Sequence, residues 1–193
     1  MPRLFRFLRR QFRLRARRQW LIGRAIRRGR WVRPVADRTG QIRPGQILLF
    51  TVLRNEAIRL PYFLDYYRRM GIGHFLVVDN GSDDGGREYL VAQPDVSLWL
   101  ARGSYRESRF GMDWLNWLLR RHGSGHWCLT VDPDEFLIYP HCDTRPLLAL
   151  TDWMDASAIR SFSAMLLDMY PKGPLHAHPY QSGQNPFEIA RWF

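Results

Sequence analysis

Residues 47–86 read ILLFTVLRNEAIRLPYFLDYYRRMGIGHFLVVDNGSDDGG, and this stretch decides the fold. Ile47 to Leu53 is an unbroken apolar run, as expected of a strand buried on both faces. The segment RLPYFLDYYRRMG comes next, with helical features. Pro61 suits a first turn, Tyr62, Phe63, Tyr66 and Met70 form a stripe, and Gly71 supplies a stop. HFLVVD, residues 74–79, is a second buried strand, and NGSDDGG is a turn. A short helix carrying Tyr89, Leu90 and Val91 then ends before Pro94. VSLWLA, residues 96–101, is a third strand. ESRFGMDWLNWLLRRHG, residues 107–123, reads as a helix with Phe110, Trp114, Trp117 and Leu118 on one side. HWCLTVD, residues 126–132, is a fourth strand. Strands alternating with helices across short joints predict an α/β fold: a mostly parallel, doubly wound, Rossmann-like sheet with helices on both faces.

Charge divides the chain. Of 29 Lys and Arg, thirteen fall within residues 1–36, which hold no acid; the other 16 face 18 Asp and Glu. A slightly acidic domain, residues 46–193, thus succeeds a basic arm, residues 1–33, and a Pro- and Gly-containing linker, residues 34–45. In the arm, Leu4, Phe5, Leu8, Phe12, Trp20 and Leu21 recur at rough helical spacing between arginines, which predicts a basic amphipathic helix. Three roles fit such a helix: docking to an anionic membrane or a protein, binding nucleic acid, or serving as a solubilising tail. No apolar run approaches the length of a membrane span, and arginines interrupt any secretory-type apolar region. Cys128 and Cys142 are too few and too scattered for a disulfide framework or a zinc site. His176-Ala177-His178, among prolines, reads as a loop feature.

Polar residues collect where the predicted strands end. The first strand runs through Thr51 into Arg54-Asn55-Glu56, the second ends in Asp79-Asn80, and the fourth ends in Asp132-Pro133-Asp134-Glu135. Ligands of open α/β sheets bind beyond the carboxyl ends of the strands. Oxygen donors at this spacing suit a hard divalent cation, Mn²⁺ or Mg²⁺, which also bridges phosphate oxygens. Each group also has a plainer reading. Asp79 to Asp84 is turn and cap chemistry, Arg54-Asn55-Glu56 suits a helix start, and Asp132 and Asp134 suit a solvated loop. A nucleotidyltransferase would want a Gly-rich, cationic loop after the first strand, and TVLRNEAIRL has no glycine there.

The segments LRNEAIRLPYFLDYYRRMGIGHFLVVDNGSDDGG and HWCLTVDPDEFLIYP resemble the family-2-like glycosyltransferases of the GT-A fold, in the bacterial branch with R-N-E near the first strand and D-x-D-E-F after the fourth. The resemblance spans roughly residues 46–171. It implies a nucleoside diphosphate sugar donor and a glycan, lipid-linked or other cell-envelope acceptor. Asp79 matches the acid that contacts base or ribose, with Asn80 beside it. Thr51, Arg54, Asn55 and Glu56 match the lining of the nucleotide pocket. Asp134 matches the metal-binding acid of the D-x-D, and Asp132 the one facing ribose or metal-bound water. Glu135 is expected to orient the aspartates, and Arg109 or Asn116 to reach the diphosphate or serve helix packing. The resemblance, together with the arm, implies a cytoplasmic enzyme held peripherally at the inner face of a membrane. Nucleic acid as a partner rests on the arm alone. The family's acceptor half and catalytic base lie farther beyond the D-x-D than this sequence extends. A C-terminally truncated chain is therefore expected, with no base assigned. The alternative is a degenerate domain that binds nucleotide without turnover.

Overall fold

The computed structural model describes residues 2–174 and 179–193; side chains of residues 2–6 and 8 are outside the description, as is His176-Ala177-His178. Five strands form one sheet: β1 (Val32–Ala36), β2 (Ile47–Leu53), β3 (Ile72–Asp79), β4 (Val96–Ala101) and β5 (Cys128–Thr130). Their spatial order is β1-β4-β3-β2-β5. The β4-β3-β2-β5 pairs are parallel, and only β1 runs antiparallel, against β4. Helices α1 (Pro2–Gly29), α2 (Leu60–Arg69), α3 (Gly86–Val91), α4 (Met112–His122), α5 (Leu147–Ala156) and α6 (Pro186–Ile189) complete the chain.

Strand periodicity explains the two layers. Successive side chains of β2 point to opposite faces. Ile47, Leu49 and Leu53 meet Leu60, Phe63, Leu64 and Tyr67 of α2, while Leu48, Phe50 and Val52 meet Trp114, Leu115 and Leu118 of α4. Every residue of β2 is buried, so both faces need an apolar side chain and no polar alternation appears. Full burial of each large side chain contributes about 1.5–3 kcal/mol. The buried stripe of α2 is Leu60-Phe63-Leu64-Tyr67; Tyr62 and Tyr66 are half-buried at its margin.

Three expectations need correction. The 34–45 stretch is not a free linker, because Pro34–Ala36 belongs to β1 and Thr39–Gln41 forms a 3₁₀ turn. Arg38 fastens it: its backbone N–H donates to Ser97 Oγ at 2.9 Å, and its guanidinium donates to the carbonyls of Val96 at 2.9 Å and Val91 at 2.7 Å. Second, the helix expected from residue 107 starts at Met112. Arg109, Phe110 and Gly111 all have positive φ (57°, 55° and 79°), which breaks the helical path, and Phe110 stands in solvent. Third, β5 has only three residues, because Val131 makes a long 3.4 Å bond to Phe50 O and Pro133 has no N–H to donate.

The C-terminal end of α1 is part of the domain. Ala25 and Gly29 are buried, and a Cβ on Gly29 would fall 2.2 Å from the Trp117 ring of α4. Arg24 Nε donates to Asp113 Oδ2 at 2.7 Å, and its guanidinium also donates to the Glu107 carbonyl. Arg28 adds a 3.2 Å contact to the Glu107 carboxylate.

Candidate functional site

The order of the sheet locates the crevice. From β2 the chain passes to β3 on one side, and after β4 it returns as β5 on the other. The carboxyl ends of β2 and β5 therefore flank the topological switch point, where open α/β sheets bind ligands. The segments beyond β2, β3, β4 and β5 form the rim of this end.

Beyond β5, exposure alternates: Asp132 and Asp134 face outward, and Pro133 between them is buried. The turn closes on itself. Glu135 N–H donates to Asp132 O at 3.0 Å, and the Glu135 carboxylate accepts from Asp132 N–H at 3.1 Å. Helix α2 anchors the segment from Glu135 to Leu137. The Tyr67 hydroxyl donates to Glu135 O at 3.0 Å and accepts from Leu137 N–H at 3.0 Å, while Tyr66 donates to Leu137 O at 2.8 Å. Phe136 sits among Tyr62, Tyr66, Tyr67 and Phe187, with ring centroids 5.0–6.4 Å away. Burial raises both phenols above their usual range, Tyr66 to about 12, so both stay protonated and able to donate. The aromatic side chains pull the chain down on one side and leave the two aspartates on the other.

Electrostatically the corner is crowded. Burial first, then the carboxylates of Glu135, Asp134 and Glu56, raise the pKa of Asp132. Glu56 is partnered by Arg59. Arg54, exposed beyond β2, is in no ion pair among the described residues. Asp132, Asp134 and Glu135 do not constitute a preformed cage: no group of three or more His, Cys, Asp or Glu side chains placed to hold a metal occurs among the described residues. The donors nonetheless suit a hard cation chemically, being all oxygen and mutually repelling.

Several expected site residues are engaged in structure. Asp79 is fully buried; Oδ1 accepts from Ser82 N–H at 2.8 Å and Oδ2 from Arg87 Nε at 2.7 Å. Asn80 donates to the carbonyls of Ala101 at 2.9 Å and Gly103 at 3.0 Å. Asn55, at φ 57°, laces two loops together, its N–H donating to Ser82 Oγ at 2.9 Å and its Oδ1 accepting from Asp83 N–H at 3.0 Å. Asp84 accepts from Ala57 N–H at 2.7 Å. Asn116 is exposed and bonds back to Met112 O of its own helix. Arg109 lies before α4 rather than on it, with Nη1 3.8 Å from Asp113 Oδ1. Thr51 is fully buried, and its hydroxyl has no hydrogen-bond partner among the described residues.

The loop after β4 adds Tyr105, which the sequence reading missed, and Phe110, which it placed on the apolar face of a helix. It leaves the sheet at Ala101 and reaches β2, where Gly111 lies so close to Val52 that a Cβ would sit 3.0 Å from its methyls. Tyr105 and Phe110 form an exposed edge-to-face pair on this loop, 5.8 Å apart. Partial burial and then the charges of Asp132 and Asp134 raise the Tyr105 pKa. Two solvent-facing aromatics in one Gly-containing loop were the available signal.

A cavity of about 540 Å³, lined by Gln41, Arg43, Gln46, His74 and Asp95 among others, opens near the amino-terminal ends of β2 and β3, away from the acidic corner.

No protein-family profile matches the chain, and no solved structure matches it. One similarity among curated proteins is to a glycosyltransferase family 92 protein of Oryza sativa subsp. japonica, 31% identical over 98 residues. The match covers 47% of this chain but only 16% of the length of that relative.

Proposed function

We propose that this chain is a glycosyltransferase domain that binds a nucleoside diphosphate sugar at the carboxyl ends of β2, β3 and β5. The observation that carries the reading is the exposed Asp132 and Asp134 on either side of buried Pro133, beside the switch point. The similarity to a glycosyltransferase family 92 protein supports it. The motif likeness to the GT-A fold adds the finer class and a bacterial cell-envelope acceptor, glycan or lipid-linked.

Asp134 and Asp132 would hold Mn²⁺ or Mg²⁺, with Glu135 fixing the backbone between them; the remaining positions fall to water and the diphosphate. Such an ion, when bound, offsets charge on the departing diphosphate as a Lewis acid. Arg54 and Arg109 would be the cations that complement phosphate oxygens. Tyr105 and Phe110 offer faces for a base or sugar ring. Asn55, Asp79 and Asn80 would hold the loops of the nucleotide pocket in place through the bonds described above, and Glu56, paired with Arg59, would line it. No residue is assigned as the base that would deprotonate the acceptor.

Calorimetry with uridine, guanosine and cytidine diphosphates, with and without Mn²⁺, tests the reading. Mn²⁺-dependent binding of one nucleotide is expected, weakened at least tenfold in Asp134→Ala. Absence of binding, or binding unchanged in that variant, refutes it. Binding with no sugar transfer or donor hydrolysis supports the alternative of a domain without turnover.

A further inference from the structure

We infer that the free part of α1 is a docking surface for an anionic phospholipid bilayer, and that its clamp to α4 fixes the orientation of the domain on that surface. The helix divides at about Leu21. From there to Gly29, residues facing α4 are buried or half-buried; from Arg9 to Trp20 every residue is exposed. At 1.5 Å per residue, residues 2–20 extend roughly 28 Å beyond the packed region. The seam of half-buried Leu21 and buried Ala25 continues at the spacing of two helical turns to Leu14 and Phe7, which are exposed. Phe12 and Trp20 are also exposed.

Charge selects the partner. Among the described residues, Arg24 and Arg28 are the arginines of α1 in ion pairs. Arg9, Arg10, Arg13, Arg15, Arg17 and Arg18 face solvent, and no acid occurs in the helix. Arginine alone would serve any polyanion. Large apolar side chains interleaved with it favour a bilayer, where they enter the acyl boundary while the guanidinium groups meet phosphates. No described helix is long and apolar enough to cross a membrane, so α1 would lie in the interface. Arg24, held by Asp113 and the Glu107 carbonyl, makes the packed end of α1 rigid with α4. The docked helix thereby determines which way the loop from Ser104 to Gly111, and the acidic mouth next to it, faces. This inference does not depend on the sugar-transfer reading.

The test is flotation of the full chain with two kinds of vesicle, phosphatidylcholine alone and equimolar phosphatidylcholine and phosphatidylglycerol. Binding to the anionic vesicles only is expected. Arg13→Gln/Arg17→Gln/Arg18→Gln should lose roughly 100-fold in partitioning, at about fivefold per side chain near such a surface. Phe12→Ser/Trp20→Ser should lose at least tenfold. Both side chains are exposed, and Trp20 touches the clamp only through its ring, 5.5 Å from the Arg24 guanidinium, so an unchanged thermal midpoint separates lost docking from misfolding. Equal binding to both vesicles, or full binding by the Phe12→Ser/Trp20→Ser variant, overturns the inference. So does retention of an RNA oligonucleotide with no vesicle binding. Because nucleotide binding is not the readout, failure here leaves the proposed reaction standing, and the reverse also holds.

Discussion

Replacing Arg24 with alanine tests whether α1 belongs to the folded domain. The Asp113 carboxylate is only 1% exposed, and Arg24 Nε lies 2.7 Å from it. Removing one member of a buried ion pair leaves the other charge uncompensated and costs about 3–5 kcal/mol. Two features favour the lower end: the Arg24 side chain is 21% exposed, and Arg109 remains 3.8 Å from the other carboxylate oxygen. The expected loss is about 3 kcal/mol, and at about 2–4 °C per kcal/mol for a chain of this size the midpoint falls by about 6–12 °C. Differential scanning calorimetry and urea titration measure it. The double variant Arg24→Met/Asp113→Asn removes both charges and should recover most of the loss. Deleting residues 2–19, whose described side chains are all exposed, should leave the midpoint unchanged. If Arg24→Ala melts within about 1 °C of the parent, or if the short deletion destabilises as much as Arg24→Ala, the division of α1 at Leu21 is wrong.

Gly29→Ala should detach the same end of α1, because the new methyl would overlap the Trp117 ring; a loss of roughly 1–3 kcal/mol in urea titration is expected. Thr51→Val replaces a buried hydroxyl without a partner by a similar-sized apolar group, so the free chain should be unchanged or stabilised by up to about 1 kcal/mol. A simultaneous fall in nucleotide affinity would show that a ligand uses the hydroxyl. The raised pKa of Asp132 means the folded chain holds that proton more tightly than the unfolded chain, so its contribution falls as pH rises from the unfolded value through the raised one. Mn²⁺ affinity should climb over the same window, and Asp132→Asn should flatten that profile in calorimetry. Burial depresses the pKa of His74, so its contribution is complete above the unfolded value of 6.5 and is lost as pH falls through the lower folded value. His74→Gln should reduce that acid-side slope in denaturation series at about pH 5 to 7.

Particular residues show how far the sequence could be read. The apolar runs at 47–53, 74–79 and 96–101 became strands in the expected order, because a strand buried on both faces leaves little alternative composition. The acids at 132 and 134 came to the expected end of the sheet. Asp79 looked like their counterpart, but a carboxylate preceding turn residues has the same pattern whether it serves a ligand or its own turn, and here Ser82 and Arg87 occupy both oxygens. Strand β1 was hidden because VRPVA buries only Val32 fully and lies inside an arginine-rich, proline-containing stretch. The packing of α1 was hidden because small residues mark it: buried Ala25 and Gly29 give no hydrophobic signal, and Gly29 lets the Trp117 ring come close. Helix α5 was missed altogether, its buried Leu147, Thr151 and Met154 being too few to stand out from the flanking loops.

The two margins of the sheet differ in a way that bears on self-association. At one, β1 carries Pro34, the exposed Arg33 and an irregularity in its pairing between Pro34 and Ala36, all of which discourage a further strand from adding. At the other, Cys128-Leu129-Thr130 has β2 as its single strand partner among the described residues and has no proline, charge or bulge of its own. A sheet that accepts a neighbour on one side only cannot propagate. Two copies joined through β5 would leave only blunted margins, so growth by strand addition terminates at a pair rather than a fibre. Any association by this route would therefore stop at two copies.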